Sequence, residues 1–230
     1  MEIFLDTANT HEIRRWLACG VIDGVTTNPS IMLKDGVSDL AARVLEIAQL
    51  LGDRPFSVEV VTNDPEEMLR QARHFARWAS NIVVKITIVS ETGEPCLNVV
   101  HQLVSEGIRV NVTACMSLGQ AMLAAKAGAT YVSLFSGRIA DEGNDPAAVI
   151  GNTRRWLDMW SSSTKIIVGS IRGVIDIQQA ALAGAHVITI PPQLMSKLAD
   201  HKYSRFTVSE FVRDGQKAFE LAATGRFEIV

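Results

Sequence analysis

The chain has 230 residues, of which 47% are hydrophobic and 20% charged, and its formal net charge is −3 at pH 7. This length and apolar content suit one large globular domain, and the mixed charges offer no basic surface for nucleic acid. Cys19, Cys96 and Cys115 share no metal-binding spacing, so we expect reduced core thiols and neither disulfides nor a zinc site. Without a basic leader or an apolar run of membrane-spanning length, the sequence predicts a cytoplasmic protein that does not enter membranes.

Short apolar segments alternate with amphipathic segments along the chain. Residues 2–5 predict a first strand, and Asn9 or Thr10 would cap the helix after it. Further strands are predicted at residues 24–27, 56–60, 82–86, 108–112, 131–134, 165–168 and 186–190. Further helices are predicted at residues 38–51, 65–80, 94–106, 117–127, 145–160 and 174–183, and after Pro191 and Pro192. Residues 28–30, Asn-Pro-Ser, are typical of a turn.

Serial strand–helix units with short apolar strands predict a buried parallel sheet. A closed (β/α)8 TIM barrel accounts for eight such units in one domain over residues 1–230, with the barrel at about 1–203. An open doubly wound sheet is the alternative, but it would normally carry a glycine-rich loop where this chain has residues 6–9, Asp-Thr-Ala-Asn. An additional amphipathic helix at about 207–222 could cover the barrel or reach a neighbouring subunit.

Lys85 interrupts the fourth apolar strand. Burial disfavours a charged ammonium group, and a neutral buried amine is a nucleophile that forms Schiff bases with carbonyl compounds. The alternative is a lysine whose alkyl stem carries its amine out to solvent. The sequence around Lys85 alone does not decide between these interpretations.

Other polar residues follow or end the predicted strands. They are Asp6, Asn28, Glu59, Asn111, Thr113, Ser133, Ser170 and Arg172. Taken singly, several could be helix caps or turn residues. Because active sites of parallel barrels lie at the carboxyl ends of the strands, we expect these residues at one mouth around Lys85. Arg138 and Arg172, with the Ser170 hydroxyl, suit a phosphate group, although either arginine could instead form an exposed ion pair.

Several segments together resemble the transaldolase family, and specifically its short-chain branch, which includes fructose-6-phosphate aldolase. The matching segments are LDTAN, GVTTNPSI, SVEV, VVKI, NVTACMSLGQA, AGATYVSLFSGRI and VGSIR, in the family's order. The resemblance implies a Schiff-base enzyme on a TIM barrel, acting on phosphorylated sugars without a metal or an organic cofactor. It also implies a homo-oligomer, since short members similar to this chain form pentamers and decamers.

The resemblance assigns roles to individual residues. Lys85 would attack the ketose carbonyl, Asp6 would be the general acid and base, and Glu59 with Thr113 would hold a proton-relaying water. The implied substrate-binding residues are Thr26, Asn28, Asn111, Ser133, Phe135, Arg138, Ser170 and Arg172. The family's fructose-6-phosphate aldolases carry glutamine and tyrosine in place of Glu59 and Phe135. This chain therefore resembles the transaldolases at both positions.

Three functions are compatible with the resemblance and with these residues. The sequence favours a transaldolase that moves a dihydroxyacetone unit between sugar phosphates. A fructose-6-phosphate or dihydroxyacetone aldolase is the nearest alternative, and a silent barrel that only binds a sugar phosphate is the other. Residues 87–95 and 114–116 depart from the family pattern beside the pocket, which bears on acceptor preference more than on reaction type.

Overall fold

In a computed structural model that describes residues 1–224, eight parallel strands close into a barrel in chain order. The strands are β1 (Glu2–Asp6), β2 (Gly24–Thr26), β3 (Phe56–Glu59), β4 (Ile82–Thr87), β5 (Val110–Cys115), β6 (Tyr131–Phe135), β7 (Lys165–Gly169) and β8 (Val187–Ile190). β1 pairs with both β2 and β8, which closes the sheet. The predicted (β/α)8 barrel is therefore confirmed.

Helices alternate with the strands along the chain, and outward strand residues such as Leu5, Val84 and Val132 are fully buried. The helices are α1 (Thr10–Ala18), α2 (Pro29–Lys34), α3 (Leu40–Leu51), α4 (Pro65–Ala76), α5 (Leu97–Ser105), α6 (Leu118–Lys126), α7 (Ser136–Asp141), α8 (Pro146–Met159), α9 (Val174–Leu182), α10 (Pro192–Ala199) and α11 (Lys202–Ala223). Over residues 1–224, no helix is both long and apolar enough to cross a membrane.

The chain divides into two compact units. The first ends at Pro192, and the second begins at Gln193 and contains α11. The additional helix predicted at 207–222 is present within α11 and begins earlier than expected. The single domain predicted over residues 1–230 stays a prediction, and its residues 225–230 lie outside the described part of the chain.

The barrel interior changes from apolar to polar along the strands. Five inward side chains form a buried apolar cluster: Phe4, Val83, Tyr131, Ile167 and Val187. Because side chains alternate between the two faces of a strand, the residue two places further along each strand also points inward. Those residues are Asp6, Lys85, Ser133, Gly169 and Thr189, and all five line one cavity. The strand alternation thus sets a largely polar layer directly above an apolar one.

Two short helices beside this cavity were not predicted. α2 begins at Pro29, where the sequence predicted a turn, and Asn28 caps it by accepting a hydrogen bond from the Ile31 amide at 2.8 Å. Proline suits the first helical turn, since it has no N–H to leave unpaired. α7 starts directly after β6. Both helices are too short to show a clear apolar periodicity.

The fifth strand, predicted at residues 108–112, begins and ends later in the structure and contains a bulge. Its register with β6 shifts between Val112 and Cys115, and Ala114 has a φ of 59°. A non-glycine residue rarely adopts this left-handed conformation, which marks a strained position near the cavity. The cysteine prediction needs one correction: Cys115 and Cys96 are buried thiols, but Cys19 is exposed at the end of α1.

Candidate active site

A cavity of about 450 Å³ opens at the carboxyl ends of the barrel strands. Its lining includes every predicted site residue except Asn111 and Arg172. The lining residues are Asp6, Thr26, Asn28, Pro29, Ser30, Glu59, Lys85, Thr113, Ala114, Ser133, Phe135, Arg138, Gly169, Ser170 and Thr189. Residues far apart in the sequence therefore meet at the mouth where a barrel enzyme carries its active site.

Lys85 lies inside the barrel at the cavity, and only 5% of its surface is exposed. Its Nζ lies 2.8 Å from Glu59 Oε2 and donates a hydrogen bond of 2.8 Å to the Thr27 carbonyl. The interpretation of Lys85 as a surface lysine is therefore wrong. Glu59 thus places a carboxylate oxygen within hydrogen-bond distance of the amine, and transfer of one proton to it would leave Lys85 as a neutral nucleophile.

Asp6 ends β1 next to Thr26, which donates a hydrogen bond of 2.6 Å to Asp6 Oδ1. Burial raises the pKa of Asp6 above its ordinary value, and the negative charges of Asp35 and Glu59 act in the same direction. The hydrogen bond from Thr26 and the charge of Lys85 partly oppose this rise in pKa. A carboxyl group with a raised pKa is suited to taking up and returning a proton.

The Thr113 hydroxyl is buried and unpaired. The residue is 1% exposed, and within residues 1–224 its Oγ1 has no hydrogen-bond partner. Thr113 lines the cavity at the β5 bulge, beside Ala114. Leaving a buried hydroxyl unpaired is unfavourable, so this arrangement is typical of a group that contacts a water or a substrate.

Asn111 supports the cavity from below and does not line it. It is fully buried, donates to Ser57 Oγ at 3.1 Å and accepts from Ser133 Oγ at 2.7 Å. Its amide therefore orients the Ser133 hydroxyl at the cavity wall. Direct contact of Asn111 with a substrate, which the resemblance implied, would require these hydrogen bonds to rearrange.

The two predicted phosphate-binding arginines differ in their surroundings. Arg138 on α7 lines the cavity together with Ser170, whereas Arg172 forms a two-point ion pair with Asp141 at the end of α7. Gly137 joins these segments, since its amide donates to the Ser170 carbonyl at 3.1 Å. Arg138 is thus the cationic side chain that faces the cavity, and Arg172 braces α7 against the segment after β7.

Sequence reasoning missed Thr189, which lines the cavity from β8. Its Oγ1 lies 2.5 Å from Thr26 Oγ1. A signal was present, because Thr189 stands two residues after the inward Val187 in an otherwise apolar strand. Gly169 and Ser30 also line the cavity without having been predicted.

Comparison with known proteins identifies relatives over nearly the full chain. A family model described as Transaldolase/Fructose-6-phosphate aldolase matches residues 3–228. A probable transaldolase of Lactiplantibacillus plantarum is 43% identical over 96% of this chain and 98% of that protein. One of Dehalococcoides mccartyi, also named a probable transaldolase, is 40% identical over 93% of this chain and 97% of that protein.

A solved structure of a mandelate oxidase mutant shares the fold, with a TM-score of 0.57 at 15% identity. The match covers 83% of this chain and 64% of that one, so it shows the architecture alone. The family match and the relatives agree with the resemblance seen in the sequence. The chain belongs to the transaldolase/fructose-6-phosphate aldolase family of enzymes.

Proposed function

We propose that this protein is a transaldolase that transfers a dihydroxyacetone unit from a ketose phosphate to an aldose phosphate through a Schiff base on Lys85. Donors would be sedoheptulose 7-phosphate or fructose 6-phosphate, and acceptors erythrose 4-phosphate or glyceraldehyde 3-phosphate. The observation that carries the proposal is a buried lysine amine 2.8 Å from a carboxylate, in a cavity that also contains Asp6.

The first half of the reaction forms the Schiff base. Lys85 transfers a proton to Glu59, and the neutral amine adds to the C2 carbonyl of the ketose. Loss of water from this adduct, with proton transfers through Glu59 and a water held near Thr113, gives a protonated imine. The short contact between the Lys85 amine and Glu59 supports this step, because the proton has a direct acceptor at 2.8 Å.

The second half breaks and remakes a carbon–carbon bond. Asp6 removes the proton from the C4 hydroxyl, the C3–C4 bond breaks, and its electron pair moves toward the iminium nitrogen to give an enamine. The aldose leaves with C4 as its aldehyde carbon. The enamine then attacks the aldehyde of the acceptor, Asp6 returns the proton to the new hydroxyl, and hydrolysis of the imine releases the new ketose and Lys85.

Phosphate recognition would fall to Arg138 and Ser170 at the cavity rim. Arg138 supplies a charge and directional N–H donors, and Ser170 supplies a hydroxyl. Arg172 was also expected to bind phosphate, and it could do so only by giving up its ion pair with Asp141. The cytoplasmic location and the homo-oligomeric state stay predictions.

The test is incubation with fructose 6-phosphate and borohydride, followed by mass spectrometry of the intact protein. Wild type should gain a reduced three-carbon adduct on Lys85, and Lys85→Met should gain none. Lys165→Met is a matched control, because Lys165 is also a strand lysine paired with a glutamate, at 2.6 Å from Glu2, but lies at the opposite end of the barrel. That variant should be trapped like wild type.

Adding erythrose 4-phosphate separates transfer from cleavage. A transaldolase should lose the trapped adduct and produce sedoheptulose 7-phosphate, since the acceptor consumes the enamine. Release of free dihydroxyacetone without an acceptor would favour the aldolase alternative. Phe135 argues against that alternative, because it offers no phenol to protonate the enamine. If the protein bound the substrate but gave neither an adduct nor turnover, the result would favour the alternative of a barrel that binds a sugar phosphate without catalysis.

A further inference from the structure

We propose that Thr189 is a positioning residue for proton transfer by Asp6, acting through the hydroxyl of Thr26. This inference rests on the proposed role of Asp6 as general acid and base. Nothing in the family resemblance assigns a role to Thr189. The geometry that carries it is a continuous line of three side chains across β8, β1 and β2.

The line is short at both contacts. Thr189 Oγ1 lies 2.5 Å from Thr26 Oγ1, and Thr26 Oγ1 lies 2.6 Å from Asp6 Oδ1. A hydroxyl has one proton to donate, and when Asp6 is ionised Thr26 gives that proton to the carboxylate. In that state of Asp6, Thr189 donates its own proton to Thr26.

Burial makes this line effective. Thr26 is 3% and Thr189 5% exposed, so bulk water does not compete strongly for their hydroxyls. A hydroxyl that accepts a hydrogen bond becomes a better donor, and donors to a carboxylate are stronger than those between neutral groups. Thr189 thereby strengthens the bond that Thr26 makes to Asp6 and favours the carboxylate form, which accepts the substrate proton.

The line can also reverse when Asp6 takes that proton. Protonated Asp6 would donate to Thr26, and Thr26 would turn its own proton to Thr189. Both protonation states of Asp6 then keep a hydrogen-bonded partner. Because the charged carboxylate gains more from such donors than the neutral acid does, the net effect of Thr189 is to stabilise the carboxylate.

Three charged groups act on Asp6, and replacing Thr189 removes none of them. They are Lys85 on β4, Glu59 on β3 and Asp35 after α2. Replacing Thr189 by valine removes one hydroxyl and keeps the side-chain shape. Its effect on the reaction therefore reports on the hydrogen-bonded line and not on these charges.

The experiment compares Thr189→Val and Thr189→Ser by the pH dependence of kcat/KM for fructose 6-phosphate with erythrose 4-phosphate. Thr189→Val should lower kcat/KM roughly tenfold at neutral pH and move the acidic limb of the kcat/KM profile to higher pH. Thr189→Ser keeps the hydroxyl and should restore both. Thr189→Ala is a second variant that cannot crowd the interior, and it should behave like the valine variant.

The control variant is Thr164→Val, which removes another buried threonine hydroxyl, one that donates to the Ala129 carbonyl at 2.7 Å beside the amino end of β7, at the end of the barrel opposite the cavity. It should leave the pH profile unchanged. An acidic limb that does not move in Thr189→Val and Thr189→Ala, or a serine variant as impaired as valine, would overturn the inference. Borohydride trapping of wild type separates the two proposals, since absence of an adduct contradicts the Schiff base itself, whatever the Thr189 variants show.

Discussion

Lys85 and Glu59 are register partners on adjacent strands, and their side chains meet at 2.8 Å inside the barrel mouth. Parallel pairing places both side chains on the inner face at the same height, so the contact follows directly from the fold. Taking a charged pair out of water is unfavourable, and such a pair is retained at an active site where one member passes a proton to the other.

Glu59→Gln should slow formation of the trapped adduct roughly 100-fold, because an amide cannot accept the lysine proton. Loss of the counter-charge should also lower the free energy of unfolding by about 3 kcal/mol, since a buried Lys85 ammonium then lacks an opposite charge. Rapid-quench borohydride trapping and urea unfolding measure the two effects. The matched variant is Glu2→Gln, which breaks the ion pair with Lys165 outside the cavity and should leave the trapping rate unaltered. If Glu59→Gln formed the trapped adduct at the wild-type rate, direct proton transfer from Lys85 to Glu59 would be contradicted.

Asp6→Asn should abolish turnover and raise the melting temperature at neutral pH. Burial raises the pKa of folded Asp6. Its contribution to stability is therefore greatest below the ordinary carboxyl pKa and is lost as the pH rises through the folded value. Asparagine removes this loss, so the melting temperature at pH 7 should rise by roughly 2 to 4 °C and change less near pH 4. Scanning calorimetry at both pH values checks it, with exposed Asp53→Asn as the control. A larger gain in melting temperature at pH 4 than at pH 7 would contradict a raised pKa of folded Asp6.

Thr113→Val should reduce turnover roughly 100-fold without reducing stability. The Thr113 hydroxyl has no protein partner within residues 1–224, so valine removes an unsatisfied group and keeps the shape. Thr153→Val offers a contrast, because that hydroxyl donates to the Val149 carbonyl at 2.8 Å. It should lose about 1 kcal/mol of stability and keep its activity. Equal destabilisation of the two variants would count against an unpaired Thr113.

Much of this site was predictable because strand alternation is a local property. A polar residue at an inward position near the carboxyl end of an apolar strand points into the barrel mouth, and Asp6, Glu59 and Lys85 all meet that criterion. Thr189 meets it as well, but a threonine among β-branched apolar residues gives a weaker signal than a charge. The fold followed from the same repeating pattern of strands and helices.

Tertiary pairing was not predictable from such patterns. Arg172 follows β7 as a cavity residue would, yet it turns to Asp141, which lies 31 positions earlier at the end of α7. Short α7 itself has too few residues to display helical periodicity. The β5 bulge at Ala114 likewise depends on pairing with β6, and alanine gives no sequence sign of a positive φ.

Arg138→Met should raise KM for phosphorylated donors more than Arg172→Met does. Arg138 faces the cavity, whereas Arg172 is engaged by Asp141, which its guanidinium holds at a lowered pKa. Loss of a charge-assisted hydrogen bond corresponds to roughly 10- to 100-fold in affinity. Comparing KM for fructose 6-phosphate with that for unphosphorylated fructose isolates the phosphate contribution. A larger phosphate-specific loss in Arg172→Met would show that the ion pair opens when substrate binds.

Gly137→Ala should destabilise the protein by about 2 kcal/mol and raise KM for phosphorylated donors. A Cβ at Gly137 would collide with the Ser170 carbonyl oxygen and come within 2.7 Å of Arg172 Nε. Relief of that collision must shift α7 away from β7, which moves Arg138 and Ser170 apart at the cavity rim.

Gly215→Ala is the matched control, because nothing lies within 4 Å of the added Cβ in α11. There the change should raise stability by about 0.5 to 1 kcal/mol, since alanine favours helix. Urea unfolding of both variants, with KM for fructose 6-phosphate, tests the pair; a Gly137→Ala protein with wild-type stability and KM would contradict close packing of α7 against the segment after β7.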